Sequence, residues 1–343
     1  MMNEPSIAGL LNDAARILAQ AGIDTPRFDA KLLLAHAAGV EPRNVDKAML
    51  LGADPDELNI DEPALRRMID RRAEREPLQY IIGTAPFRYL EVEVGPGVFI
   101  PRPETEIVVQ AGLDWLTEQH VEHPRIVDLC AGSGVIGLSA VTEIPDSEVW
   151  AVEFSADTYR WTDRNRKRIL LGEAHDSDDH DSDDDRIVRN GRAGDGHADG
   201  DRSSAYSRYH LILGDATDSE TLKELDGTID LVISNPPYIP ESEIPEQPEV
   251  RDHDPALALY GGSADGLRIP RLIIDRSAAL LRSGGVLVME HDIGQGPALV
   301  DHALQDGFSE AHTGDDLTGR PRYLFARTKQ LADRPGPAQG AGF

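Results

Sequence analysis

A single cysteine stands in this chain of 343 residues. Cys130 therefore has no internal disulfide partner and no companions for a thiolate metal cage, which fits a reducing compartment. No apolar run approaches the roughly 20 residues needed to span a bilayer, and the start, MMNEPSIAGLL, lacks the basic flank and apolar stretch of a secretory signal. A cytoplasmic protein is expected. Basic and aromatic residues are also scarce: 34 Lys and Arg face 61 Asp and Glu, a net charge of -27, and aromatics make up 5%. Such a surface repels a polyanion and leaves no basic, aromatic-laced face for nucleic acid. The 11 histidines are scattered, so no metal site is expected. No serine-histidine-aspartate order with a nucleophile elbow is present either.

What is there suffices for two unequal domains, since 40% of the residues are apolar and the length exceeds one ordinary domain. Residues 6 to about 76 carry helical periodicity. Ile7, Leu10, Leu11, Ala14, Ile17 and Leu18 share one helix face before Gly22. Thr25 and Pro26 then mark the start of a second helix with Phe28, Leu32 and Leu33 as its buried face, and a third passes through Leu65, Met68 and Ile69. From Phe87 to Ile100 the period moves towards two, with Gly95-Pro96-Gly97 as the turn of a hairpin. Short apolar strands then alternate with helical stretches, near 125–130, 148–153, 209–213, 229–234 and 285–290, with one more over Tyr323 to Arg327. This alternation predicts a mostly parallel sheet covered on both faces. The expected division is a helical docking domain over 1–80, a hairpin connector over 81–105 and a catalytic domain over 106–330. Residues 172–208, with 11 acidic and 5 basic side chains, read as a disordered acidic insertion, and 331–343 as a loose tail.

The chemistry gathers at strand ends. Ile126-Val-Asp-Leu-Cys-Ala-Gly-Ser-Gly134 runs from a buried strand through glycines into a helix, where open α/β sheets bind nucleosides. Gly132 and Gly134 let the backbone approach a ligand, with Asp128 at the strand end. About 25 residues on, the next strand ends in Glu153, placed to accept both ribose hydroxyls. Gly137 completes a dinucleotide fingerprint, so the glycines alone also admit a dehydrogenase. The strand Ile229 to Ser234 decides between them, because it delivers Asn235-Pro-Pro-Tyr238 beside the glycine loop. An amide nitrogen is a poor nucleophile, its lone pair being delocalised into the carbonyl. The Asn235 side-chain oxygen and the Pro236 carbonyl can accept its two N–H groups and aim the remaining lone pair at an electrophilic methyl. Pro236 and Pro237 keep both oxygens preorganised, and Tyr238 can cover the planar group or face a sulfonium. Asp215 fits a group reaching the adenine end of a nucleoside as well as it fits an ordinary loop acid.

With these residues in view, the sequence resembles the peptide-chain-release-factor glutamine N5-methyltransferases. The resemblance runs through Arg75-Glu-Pro-Leu-Gln-Tyr-Ile-Ile-Gly83, Phe99-Ile-Pro-Arg-Pro-Glu-Thr-Glu106, Asp128 to Gly134, Glu153, Asn235-Pro-Pro-Tyr-Ile239 and Ala264-Asp-Gly-Leu267. It implies a class I S-adenosylmethionine-dependent methyltransferase: a doubly wound, seven-stranded, mostly parallel sheet with a small N-terminal helical bundle. It implies S-adenosylmethionine as donor and the glutamine of a Gly-Gly-Gln loop in a release factor as acceptor. The cofactor loop maps onto Cys130, Ala131, Gly132, Ser133 and Gly134, the ribose acid onto Glu153, and the substrate and catalytic motif onto Asn235, Pro236, Pro237 and Tyr238, with Asn235 also beside the cofactor. On the adenine side, Asp215 is followed by Ala216 where some relatives carry an aromatic residue. Glutamine methylation on a ribosomal protein, or of an adenine flipped from DNA, are the rival readings, the latter disfavoured by charge. A catalytically dead scaffold would be expected to have broken motifs, and Gly132, Gly134, Glu153 and Asn235 are intact.

Overall fold

A computed structural model describes residues 6–173 and 204–330. Most of the acidic insertion and the tail from 331 lie outside the described residues. The two ends of the insertion do not: Gly172 caps a helix at φ 73°, and 204–207 form a helical turn whose Ala205 is buried and whose Tyr206 hydroxyl accepts from Arg166. The ordered chain thus extends further into 172–208 than composition indicates.

The first helices are α1 (Ile7–Gln20), α2 (Pro26–Ala37), α3 (Pro42–Leu51), α4 (Glu62–Ala73) and the short α5 (Leu78–Ile82). Ser6 caps α1 by accepting from the Gly9 N–H, and Pro26 opens α2 where its missing donor costs nothing. Their apolar stripes meet in a core that includes Ile7, Leu11, Leu18, Leu33, Leu34, Leu65 and Met68, each large aliphatic contributing about 1.5–3 kcal/mol by burial. Two expectations for α2 change. Phe28 is 56% exposed and the buried stripe passes instead through Ala30, Leu33, Leu34 and Ala37. Thr25 does not cap the backbone but donates to Asp29, which is itself buried against Arg72 at 2.8 Å. The helix is rotated to make that ion pair.

The hairpin also lies elsewhere. Strands β1 (Thr84–Phe87) and β2 (Leu90–Glu93) pair antiparallel, and the turn is at Arg88-Tyr89, not at Gly95-Pro96-Gly97. Arg88, at φ 51°, holds that turn by a two-point ion pair to Glu143.

After α6 (Pro103–Glu118) come β3 (Arg125–Leu129), α7 (Val135–Glu143), β4 (Glu148–Glu153), α8 (Ala156–Leu171), β5 (Tyr209–Leu213), β6 (Ile229–Ser234), the short α9 (Pro248–His253) and α10 (Ala256–Leu259), α11 (Arg268–Leu280), β7 (Leu281–Glu290), α12 (Gly296–Gln305), β8 (Phe308–Asp315) and β9 (Pro321–Thr328). The seven strands lie in the order β5-β4-β3-β6-β7-β9-β8, parallel except for antiparallel β9. This is the class I S-adenosylmethionine-dependent methyltransferase fold. Alternate residues of the central strands serve opposite faces: Ile126, Val149 and Ile233 pack towards α6 and α7, while Val127, Val152 and Val232 pack towards α11 and α12. Strand β7 starts at Leu281, four residues before its apolar run, and β8 escaped the sequence pattern because only Phe308 along it is buried. No helix among the described residues is long and apolar enough to cross a membrane.

Candidate active site

Strand order reverses between β3 and β6, the switch point where an open α/β sheet leaves a crevice at its carboxyl edge. Register sets what lines it. Leu129 is level with Val152 and with Ser234, and Ser234 with Met289. The next residue along each chain therefore stands in one row at the carboxyl edge of the sheet: Cys130, Glu153, Asn235 and Glu290.

On the β3 side the loop is shaped by backbone. Cys130, Gly132 and Gly134 all take left-handed φ, at 72°, 59° and 88°. Cys130 and Ala131 donate their N–H groups to the Val152 carbonyl, Thr162 donates to the Gly132 carbonyl at 2.7 Å, and the buried Asn165 donates to the Ser133 carbonyl at 3.0 Å. The glycines serve different ends. A Cβ on Gly134 would stand 2.8 Å from Thr162 and one on Gly137 3.0 Å from Tyr209, so both are required for packing. A Cβ on Gly132 would meet nothing within 4 Å, so that side of the loop is open.

Glu153 braces this loop: its Oε2 accepts from the Gly132 N–H at 2.8 Å and its Oε1 from the Ser155 N–H at 2.8 Å. A carboxylate offers about four acceptor positions, so these two bonds leave capacity for two hydroxyls. Open Gly132 beside a carboxylate with spare acceptors suits the ribose and chain of S-adenosylmethionine. Burial pushes the Glu153 carboxyl above its usual range while the backbone donors oppose it. Asp128 is fully buried, accepts from the Gly137 N–H at 2.9 Å on one oxygen and has no partner on the other; desolvation raises it to about 7, with Glu153 adding repulsion. Burial and the neighbouring acids also push the Cys130 thiol up, so it stays protonated and is no nucleophile. Asp215 is exposed, with Oδ1 taken by the N–H and hydroxyl of Thr217, and Ala216 is buried in the core. Two exposed apolar side chains flank this edge, Phe154 at 62% and Leu213 at 54%. Sequence reasoning passed over both, although Phe154 directly follows the strand-end acid.

The β6 side is shaped by side chains. Asn235 donates Nδ2–H to the Thr105 hydroxyl at 3.1 Å, Thr105 donates to Glu290 Oε2 at 2.7 Å, and Tyr238 donates its hydroxyl to Glu290 Oε1 at 3.1 Å. Glu290 is 1% exposed and Thr105 3%. Burial raises both the Glu290 carboxyl and the Tyr238 phenol, the latter reinforced by the carboxylate beside it, so Tyr238 remains a hydrogen-bond donor. Pro236 is buried at the strand end. The loop beyond is held by N–H bonds from Tyr238 and Ile239 to the Leu259 carbonyl, and by Gln295, whose Nε2 donates to the Tyr238 carbonyl at 2.8 Å. A Cβ on Gly266 would lie 2.1 Å from that same carbonyl, which explains the glycine in Ala264-Asp-Gly-Leu267. Thr105 lies in the Phe99 to Glu106 motif but had no role assigned to it, and Glu290 and Gln295 escaped the sequence reading. Glu290 ends a strand just as Glu153 does, and that was the available signal.

A second groove separates the helical bundle from the loop following Tyr238. Arg72 and Arg75 both pair with Glu249 of α9, at 2.8 and 2.7 Å, while Phe28, Gln79 and Gln247 line its walls.

Known proteins resemble this chain along most of its length. A family model described as "PrmC N-terminal domain" matches residues 9–83 and one described as "Conserved hypothetical protein 95" matches 79–194. The chain is 56% identical over 322 residues to the release factor glutamine methyltransferase of Bifidobacterium longum, covering 93% of this chain and 99% of that one. To the protein of the same description from Streptomyces coelicolor it is 40% identical, over 92% of this chain and 95% of that one. Among solved structures, the T. thermophilus 16S rRNA N2 G1207 methyltransferase in complex with AdoMet and guanosine aligns with TM-score 0.41 and 14% identity, covering 74% of this chain and 46% of that one.

Proposed function

The chain belongs to the release factor glutamine methyltransferase family and uses S-adenosylmethionine as methyl donor, and on that premise we propose that its acceptor is the glutamine side-chain amide in the Gly-Gly-Gln loop of a peptide chain release factor. The donor supplies an electrophilic methyl on a sulfonium. The residues of the chain bind and orient. Cys130 to Gly134 and Glu153 hold the donor's amino-acid chain and ribose, with Asp215, Ala216, Phe154 and Leu213 around its base. The Asn235 oxygen and the Pro236 carbonyl receive the two N–H groups of the acceptor amide, and Tyr238 covers it, so that a poor nucleophile is presented in one orientation.

The observation that carries this reading is the register: Asn235 leaves β6 level with Cys130 on β3 and with Glu153 on β4, so amide acceptor and donor loop share one crevice. We assign residues 1–80 to docking of the release factor, 81–105 to the connector and 106–330 to the transferase. The reach of the first family model to residue 83 and the ion pairs from Arg72 and Arg75 to Glu249 support that division. The proposed site of action is the cytoplasm.

The test is transfer of a labelled methyl group to purified release factor, ribosomal protein and duplex DNA side by side. The expected result is label on the release factor, lost when its Gly-Gly-Gln glutamine is replaced. Preferential labelling of ribosomal protein or DNA would move the acceptor assignment to one of those.

A further inference from the structure

We propose that Glu290 is a positioning residue for methyl transfer: acting through Thr105, it determines which atom of the Asn235 amide faces the acceptor. This rests on the reading of Asn235 as the group that orients the acceptor amide, and it adds two residues from distant parts of the chain, Thr105 and Glu290, to that task.

The argument follows the protons. An ionised carboxylate only accepts hydrogen bonds. Both Glu290 oxygens receive hydroxyl protons, one from Thr105 at 2.7 Å and one from Tyr238 at 3.1 Å. A threonine hydroxyl has one proton. With that proton committed to Glu290, the Thr105 oxygen can only accept, so the half of the Asn235 amide facing it at 3.1 Å must be the NH2. Because the amide is planar, its oxygen then points to the opposite side, away from Thr105. The two halves of an amide are nearly the same size and shape, so packing alone does not choose between them. With the orientation reversed, an NH2 would confront the N–H of the acceptor and repel it. Tyr238 is held by the same carboxylate, so Glu290 sets two parts of the acceptor motif at once.

The placement is costly for the fold, which is why a role in function accounts for it. Glu290 is 1% exposed, at the end of a strand whose preceding residues Val286 to Met289 are fully buried. Burial of a carboxylate without a full ion pair weakens a fold unless hydrogen bonds compensate, and an apolar residue would suit that position better for stability alone. The Arg322 charge favours the ionised form, and the Glu104 charge opposes it.

Full-length protein, release factor and saturating S-adenosylmethionine in single turnover read the transfer step directly. Thr105→Val keeps the shape and removes the hydroxyl. It is expected to slow transfer about 100-fold, on the scale of losing one preorganised polar group, with donor affinity by calorimetry unchanged within about twofold. Thr105→Ser, which restores the hydroxyl, is expected to return the rate to within about threefold of the parent. In Glu290→Gln an NH2 can face Thr105, so the hydroxyl turns its proton towards the Asn235 oxygen and the amide reverses; a loss of similar size is expected. The double variant Thr105→Val with Glu290→Gln should be no slower than the slower single one, because both break one relay.

Transfer by Thr105→Val within about threefold of the parent overturns the proposal. So does a loss that serine fails to restore, or losses that multiply in the double variant, either of which marks separate structural roles. Asn235→Ala separates the two layers. If it transfers normally, the reading of Asn235 itself is wrong; if it is inactive while Thr105→Val is active, only the relay is wrong.

Discussion

The two sides of the crevice are built from different materials. On the donor side the shape is made by backbone: left-handed conformations at the alternate residues Cys130, Gly132 and Gly134, carbonyls tied to Thr162 and Asn165, and a carboxylate that braces N–H groups. On the acceptor side it is made by side chains, Asn235, Thr105, Glu290 and Tyr238, gathered from α6 and the ends of β6 and β7. A backbone cradle approaches a ligand closely and does not discriminate finely among hydrogen-bond patterns. A side-chain relay can assign donor and acceptor roles atom by atom, which is what an amide substrate requires. Damage to the first should appear as lost donor affinity, and damage to the second as lost rate.

The largest effect on the donor side is expected from Gly134→Ala. Its φ of 88° is unfavourable for any side chain, and the added Cβ would meet Thr162 at 2.8 Å. A stability loss of about 2 to 4 kcal/mol is expected in chemical denaturation, and donor affinity should fall by more than about 100-fold in calorimetry. A variant with parental affinity would show that the loop tolerates reshaping, and the contrast with the acceptor side would fade.

Glu153→Ala should cost on the order of 1 to 3 kcal/mol of donor affinity. The structure adds a reason beyond the ribose, since the Gly132 N–H would lose its acceptor. At saturating donor the transfer rate should change far less. A variant with normal affinity and a slow rate would reverse the assignment of the two sides.

A smaller effect concerns Asp128. Its carboxyl is raised by burial to about 7 from an ordinary value near 3.8. The folded state therefore holds a proton that the unfolded state releases between those values, and the stability that goes with it is lost as pH rises through that window. Asp128→Asn keeps an acceptor for the Gly137 N–H and carries no charge. It should abolish this decline and be more stable than the parent above about pH 7, by on the order of 2 kcal/mol. Parallel stability curves for the two proteins across that window would show that Asp128 is ionised at no cost in the fold.

The same contrast explains what could be read from sequence. Packing at Gly134 and Gly137 and the open backbone at Gly132 put glycines at fixed offsets, so the turn proposed to hold the donor was legible, as was the rigid Asn235-Pro-Pro-Tyr238 proposed to hold the acceptor. The parallel core was legible because β3 and β6 each carry a short apolar run, Ile126-Val127 and Leu231 to Ile233, inside an almost wholly buried strand. The relay was not: Thr105 stands 130 residues from Asn235 and 185 from Glu290, and only folding brings them together. Strand β8 was hidden by its polar composition, since an edge strand needs little apolar surface. The hairpin turn was misplaced because glycine and proline at 95–97 looked like the stronger signal, whereas the turn at Arg88-Tyr89 is held by the ion pair to Glu143. Phe28 looked like core by spacing, yet the buried Asp29–Arg72 pair fixes the helix in a different rotation.

Asn235→Ala, measured on both axes in one preparation, tests the division between the sides most directly. One polar side chain at a strand end contributes little packing, so the fold and the donor affinity should hold. Single-turnover transfer to a release factor glutamine should slow by about two orders of magnitude or more. A folded variant that transfers within a few-fold of the parent, or one whose deficit lies wholly in donor affinity, would contradict the account and leave Asn235-Pro-Pro-Tyr238 as a turn.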